Sequence, residues 1–142
     1  MNNQKKNILI TATGGRSVGA GILHSIVRSS DGIAKRWNVV AADAEPFAWG
    51  LYKTKKSVLL PPANTHGYIK ALLKIIKTYK IDAVIPGSEI EANVIINNSE
   101  VFAPAKIIGN KKELLPLMMN KLNVYNYLKS KGLKYIETVP LK

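Results

Sequence analysis

Ile8-Leu9-Ile10-Thr11-Ala12-Thr13-Gly14-Gly15-Arg16-Ser17-Val18-Gly19-Ala20-Gly21 joins an apolar run to a glycine-rich turn and then to a helical pattern. The run suits a strand buried on both faces, as the central strands of a parallel sheet are. Glycines let the turn be tight and let the backbone come close to a ligand. The helix that follows offers unpaired N–H groups and positive partial charge to an anion. A binding site is therefore expected at the C-terminal end of this first strand, at about Asn7 to Thr13.

Working outward, apolar runs and amphipathic stretches alternate along the chain. A helix from about Ser17 to Ser30 places Val18, Ile22 and Ile26 on one stripe, with Leu23 and Val27 beside it, and Asp31-Gly32 breaks it. Strands follow at Asn38 to Asp43 and Ser57 to Leu60, the second stopping at Pro61-Pro62. A helix at about Gly67 to Lys80 buries Ile69, Leu72, Leu73 and Ile76. Ala83 to Pro86 forms a fourth strand, Glu89 to Asn97 a helix, and Lys106 to Gly109 a fifth strand. Helical pieces at about Lys111 to Met118 and Lys121 to Lys131 precede an extended tail. Strands alternating with helices imply right-handed crossovers and an α/β, Rossmann-like three-layer domain with a mostly parallel sheet of about five strands. With no dividing linker or repeat, residues 1–142 read as a single domain.

Composition narrows the function classes. The chain of 142 residues is 46% hydrophobic, enough for a core without staples. It has no cysteine, so disulfides and thiolate metal sites are excluded. The polar start, Met1 to Asn7, lacks the apolar stretch of a secretory signal, and no run approaches the roughly 18 apolar residues of a membrane helix. A cytoplasmic protein is expected, with no membrane partner. The net charge of +12 is spread over solvent-facing lysines such as Lys70, Lys74 and Lys77. The one dense run, Lys53-Thr54-Lys55-Lys56, is short, and no nucleic-acid motif accompanies it. No specific nucleic-acid partner is expected; the basic surface suits an acidic partner or a further domain.

Three more stretches carry a resemblance. They are Ala42-Asp43-Ala44-Glu45-Pro46 with Leu60-Pro61-Pro62-Ala63, then Asp82 to Glu91, then Met119-Asn120-Lys121-Leu122-Asn123-Val124-Tyr125. In order and spacing they resemble the N-terminal, pre-ATP-grasp domain of ATP-grasp ligases, and most of all the carbamoyl-phosphate-synthase large-subunit-like members. The resemblance implies an enzyme that activates a carboxylic acid as an acylphosphate with ATP and Mg²⁺ and joins it to a nucleophile. It also implies that the ATP-grasp core, with its metal-binding carboxylates, follows position 142. Alone, the chain would be an inactive part that binds no cofactor tightly. Its partners would be a small-molecule acid and the C-terminal ATP-grasp domains, with homo-oligomers open.

Candidate residues follow from both readings. Gly14, Gly15, Arg16 and Ser17 would face the substrate: Arg16 holding a carboxylate or phosphate bidentately, Ser17 capping its helix. Ser88, Glu89 and Glu91 sit at the same sheet edge, where a carboxylate could grip an amine or complement the helix dipole. The resemblance gives Lys121 to ATP phosphate, although Asn120 stands where the family has aspartate. Asp43 suits a ribose-binding acid or a turn with Glu45-Pro46. Gly19 and Gly21 are expected to let helix and strand pack closely. His24 is expected at the surface, and His24 and His66 make no metal or nucleophile pair. No catalytic or metal-ligating residue is assigned.

Two rival readings remain. Gly15, Gly19 and Gly21 share the glycine spacing of NAD(P)-binding short-chain dehydrogenases, and Tyr125 and Lys129 their Tyr-x-x-x-Lys spacing. No serine ends the fifth strand to complete that set. The other rival is a stand-alone, non-catalytic binding module with this fold.

Overall fold

A computed structural model describes residues 5–29 and 36–140, so the expected break at Asp31-Gly32, like the chain's first four residues, lies outside the described residues. The chain divides into two compact units, Met1–Gly109 and Asn110–Lys142.

In the first unit, β1 (Lys6–Ile10), β2 (Trp37–Asp43), β3 (Lys56–Leu59), β4 (Ala83–Ile85) and β5 (Lys106–Ile107) form one sheet in the order β3-β2-β1-β4-β5. Every pairing is parallel, with Ile10 opposite Ala41 on one side and Ile85 on the other. The order reverses between β1 and β4, and this is where open α/β sheets bind ligands. Helix α1 (Val18–Arg28) covers one face, where Leu23 packs on Ile8, Ile10 and Ala41. Helices α2 (Tyr68–Tyr79) and α3 (Glu89–Asn97) cover the other, where Leu72, Ile76 and Ile95 meet Leu9, Val40 and Val84. Successive strand residues thus feed opposite cores, which explains why Ile8, Leu9 and Ile10 are all apolar.

Several local expectations are corrected. β1 ends at Ile10, not Thr13, because Ala12 takes a left-handed φ of 45° and turns the chain out of the sheet. Val18 is 65% exposed instead of joining Ile22 and Ile26, since α1 lays down Gly19, Ala20 and Leu23. Ile75 joins Leu72 and Ile76 in the core under α2. In the second unit, the expected helix at 111–118 is a 3₁₀ turn at Lys112–Leu114 followed by α4 (Leu115–Met118), with Pro116 in its first turn. Helix α5 (Lys121–Ser130) follows, capped by the Asn120 side chain, which accepts from Leu122 N–H at 2.9 Å.

Candidate functional site

The C-terminal ends of β1, β2 and β4 meet around three loops. After β1, Ser17 Oγ caps α1 by accepting from Ala20 N–H, and its hydroxyl donates to the Ala12 carbonyl. Asp43 closes β2. Its Oδ2 accepts from Gly14 N–H at 2.7 Å and its Oδ1 from Glu45 N–H at 2.9 Å. The turn expected of Asp43 is present, and the same carboxylate ties down the glycine loop.

After β4, Gly87 packs so tightly that an added Cβ would lie 1.8 Å from the Thr11 carbonyl oxygen. Gly19 N–H donates to the Gly87 carbonyl at 3.1 Å, so the start of α1 is pinned to the β4 loop. Ser88 caps α3 by accepting from Glu91 N–H, as its Ser-x-x-Glu spacing suggests.

Glu91 is a buried carboxylate of the edge. It is only 8% exposed, and three hydroxyls donate to its carboxylate: Thr11 at 2.8 Å, Ser88 at 3.1 Å and Tyr68 at 3.1 Å. Burial raises its pKa, and the nearby Asp43 charge adds to the rise, while the three hydroxyls oppose it. Burial likewise raises that of Tyr68, with the Glu91 charge beside it. Thr11 also accepts from Gly87 N–H at 3.2 Å, so Glu91 braces the β1 and β4 loops together.

Five of the seven candidates of this edge line two cavities, and Gly14 and Glu89 line neither. One, of about 220 Å³, is lined by Ala12, Asp43, Pro61, Asn64, Ser88 and Glu91 among others. The other, of about 460 Å³, is lined by Gly15, Arg16, Ser17, Ala20, Gly21, His24 and Trp49. Glu89 is exposed in the first turn of α3, where its charge complements the helix dipole. Arg16 is exposed and makes no hydrogen bond or ion pair among the described residues. Lys121, in the second unit, is exposed at the first position of α5. Lys129 lies 5.5 Å over the Tyr135 ring. Among the described residues, no three His, Asp or Glu side chains gather in one place. No helix among them is long and apolar enough to cross a membrane.

Sequence reasoning missed Thr11, Tyr68 and Trp49. A hydroxyl at the end of an apolar strand was the available signal for Thr11. Nothing local marks Tyr68, which reaches Glu91 from 23 residues upstream.

The model of the family described as "PylC-like, N-terminal domain" matches residues 8–109, the body of the first unit. The chain belongs to this family. No curated protein matches its sequence. Among solved structures, Rhizobium etli pyruvate carboxylase with its allosteric activator acetyl coenzyme-A is 20% identical with a TM-score of 0.62. That match covers 96% of this chain and 14% of the carboxylase. N5-carboxyaminoimidazole synthetase from Staphylococcus aureus, complexed with ADP, is 18% identical with a TM-score of 0.61, over 93% of this chain and 31% of that one. The biotin carboxylase domain of Hydrogenobacter thermophilus 2-oxoglutarate carboxylase, in complex with MgADP and bicarbonate, is 18% identical with a TM-score of 0.59, over 89% and 27%. The fold is thus the pre-ATP-grasp domain that the sequence resembles, the N-terminal domain type of ATP-grasp carboxylases and ligases. This chain spans well under half the length of these proteins.

Proposed function

We propose that this chain is the substrate-side N-terminal domain of an ATP-grasp ligase, akin to the carbamoyl-phosphate-synthase large-subunit-like members and working in the cytoplasm. The full enzyme joins a small carboxylic acid to an amine or similar nucleophile through an acylphosphate, with ATP and Mg²⁺. The family match over residues 8–109 carries this reading, on a sheet whose β1 edge presents the unpaired Arg16 beside a capped helix N-terminus. Arg16 and the Gly14–Ser17 loop receive the acid. Ser88, Glu89 and Glu91 shape the neighbouring side of the cleft, and Lys121 meets ATP phosphate as a point charge. The metal ligands belong to the ATP-grasp domains, as the resemblance implies. The same match favours the ligase reading over the short-chain dehydrogenase.

The coding sequence downstream of Lys142 tests the reading first. An open frame of about 200 further residues, with acidic metal ligands late in it, supports it. An immediate stop overturns a single-chain ligase and leaves a binding module.

A further inference from the structure

The cleft beside α1 has features that an anion site does not require. Its lining includes Gly15, Ala20 and Gly21, which carry almost no side chain. Gly21 stands inside a helix, where glycine is unfavourable, and a Cβ there would meet nothing within 4 Å. The position therefore faces open space and does not serve the close packing expected of it. Arg16, Ser17, His24 and Trp49 complete the lining. The His24 and Trp49 rings lie 5.7 Å apart and tilted by 57°, and Trp49 keeps 36% of its surface exposed. Lys53 Nζ lies 5.7 Å from the Trp49 ring centroid. No carboxylate lines this cleft. Its volume of about 460 Å³ falls in the range of small-molecule sites, roughly 300–1,000 Å³.

We propose that this cleft binds an aromatic anion, a planar ring laid against Trp49 in the space beside Gly15, Ala20 and Gly21 with its carboxylate or phosphate on Arg16. A half-exposed indole beside positions with almost no side chain leaves room for a ring, and the guanidinium fork suits a planar anionic group. Arg16 in the lining and Lys53 beside Trp49 bring positive charge to a cleft that no carboxylate lines. The inference deepens the ligase reading by naming the class of acid that Arg16 receives, and it rests on that reading for the anion being a substrate.

Titration of the isotope-labelled chain, followed by the indole N–H signals of its two tryptophans, tests the proposal. Trp49→Phe assigns the relevant signal by removing it. Benzoate and phenyl phosphate should each move the Trp49 signal saturably, and the tighter of the two tells carboxylate from phosphate. Acetate and inorganic phosphate should bind at least about tenfold more weakly, for want of the ring. Arg16→Gln should weaken the aromatic probes about tenfold or more. Gly21→Leu should abolish binding while leaving thermal unfolding unchanged or raised, since leucine favours the helix and its Cβ enters open space. No saturable shift with either aromatic probe would overturn the proposal. So would equal binding of acetate or inorganic phosphate, or full binding by Gly21→Leu. Because no ATP or turnover is involved, failure here is separate from failure of the ligase reading.

Discussion

Ala12 occupies left-handed backbone (φ 45°) at the point where β1 gives way to the site loop. A Cβ in that region costs roughly 1–2 kcal/mol, and the pinning of Thr11 to Glu91 and of Ser17 to Ala12 holds it there. Ala12→Gly should therefore stabilise the chain by roughly 0.5–1 kcal/mol, the relief less the added freedom of the unfolded state. Urea unfolding checks this, and a loss of stability would contradict the strain. Glu91 gives a second prediction, in pH. Its folded pKa is raised by burial, so the native state holds a proton that the unfolded state has lost between the ordinary carboxylate value and the raised one. Stability from this group is thus fully present below the unfolded value and declines as pH rises through the folded one. Glu91→Gln removes that dependence. The native chain should gain stability relative to the variant as pH falls from about 8 to about 4. A difference flat across that range would refute the account. The glycine loop announced this region in the sequence. The residue under strain is the alanine before it, and no local rule marks an alanine for positive φ.

At the scale of elements, two glycines of α1 have opposite roles. A Cβ at Gly19 would lie 2.1 Å from the Thr11 oxygen and 2.5 Å from the Ala12 oxygen, both backbone atoms that cannot swing aside. Gly19→Ala should destabilise the chain by about 1–3 kcal/mol, whereas Gly21→Ala should stabilise it by about 1 kcal/mol. Paired denaturant titrations decide the signs; the same sign for both would contradict the contrast. Spacing alone gave the two glycines one role, because both fit a close helix–strand approach. Which of them faces the strand depends on the rotation of α1, and Val18 at the surface shows that rotation differs from the apolar stripe. Elsewhere the pattern was informative. Apolar runs marked all five strands, and the helix expected at about Glu89 to Asn97 is α3. The Glu91 brace was hidden because it joins residues 80 and 23 positions apart, brought together only when β1, α2 and α3 pack.

At the scale of the molecule, exposed apolar side chains gather where strands end. Val18 opens the helix after β1, Phe47 follows β2, Leu59 ends β3, Ile90 lies in the first turn after β4, and Ile108 follows β5. Water does not favour exposed apolar side chains at one end of a sheet, and they suit a surface that something covers. The matched proteins extend far beyond the length of this chain, so the proposed ATP-grasp domains are the natural cover. Phe47, 83% exposed, and Ile90, 56% exposed, separate this account from incidental exposure. In the chain of 142 residues, Phe47→Ser and Ile90→Ser should each change stability by no more than about 0.5 kcal/mol, as surface changes do. In the protein extended through its downstream coding sequence, the same changes should each cost about 1.5–3 kcal/mol, the worth of a buried apolar side chain. Arg16→Ala in that longer protein should raise KM for the acid and spare that for ATP, while Lys121→Ala should do the reverse. Equal costs of the rim substitutions in both lengths would show the edge uncovered. Unchanged kinetics in both charge variants would remove Arg16 and Lys121 from the site even with the family intact.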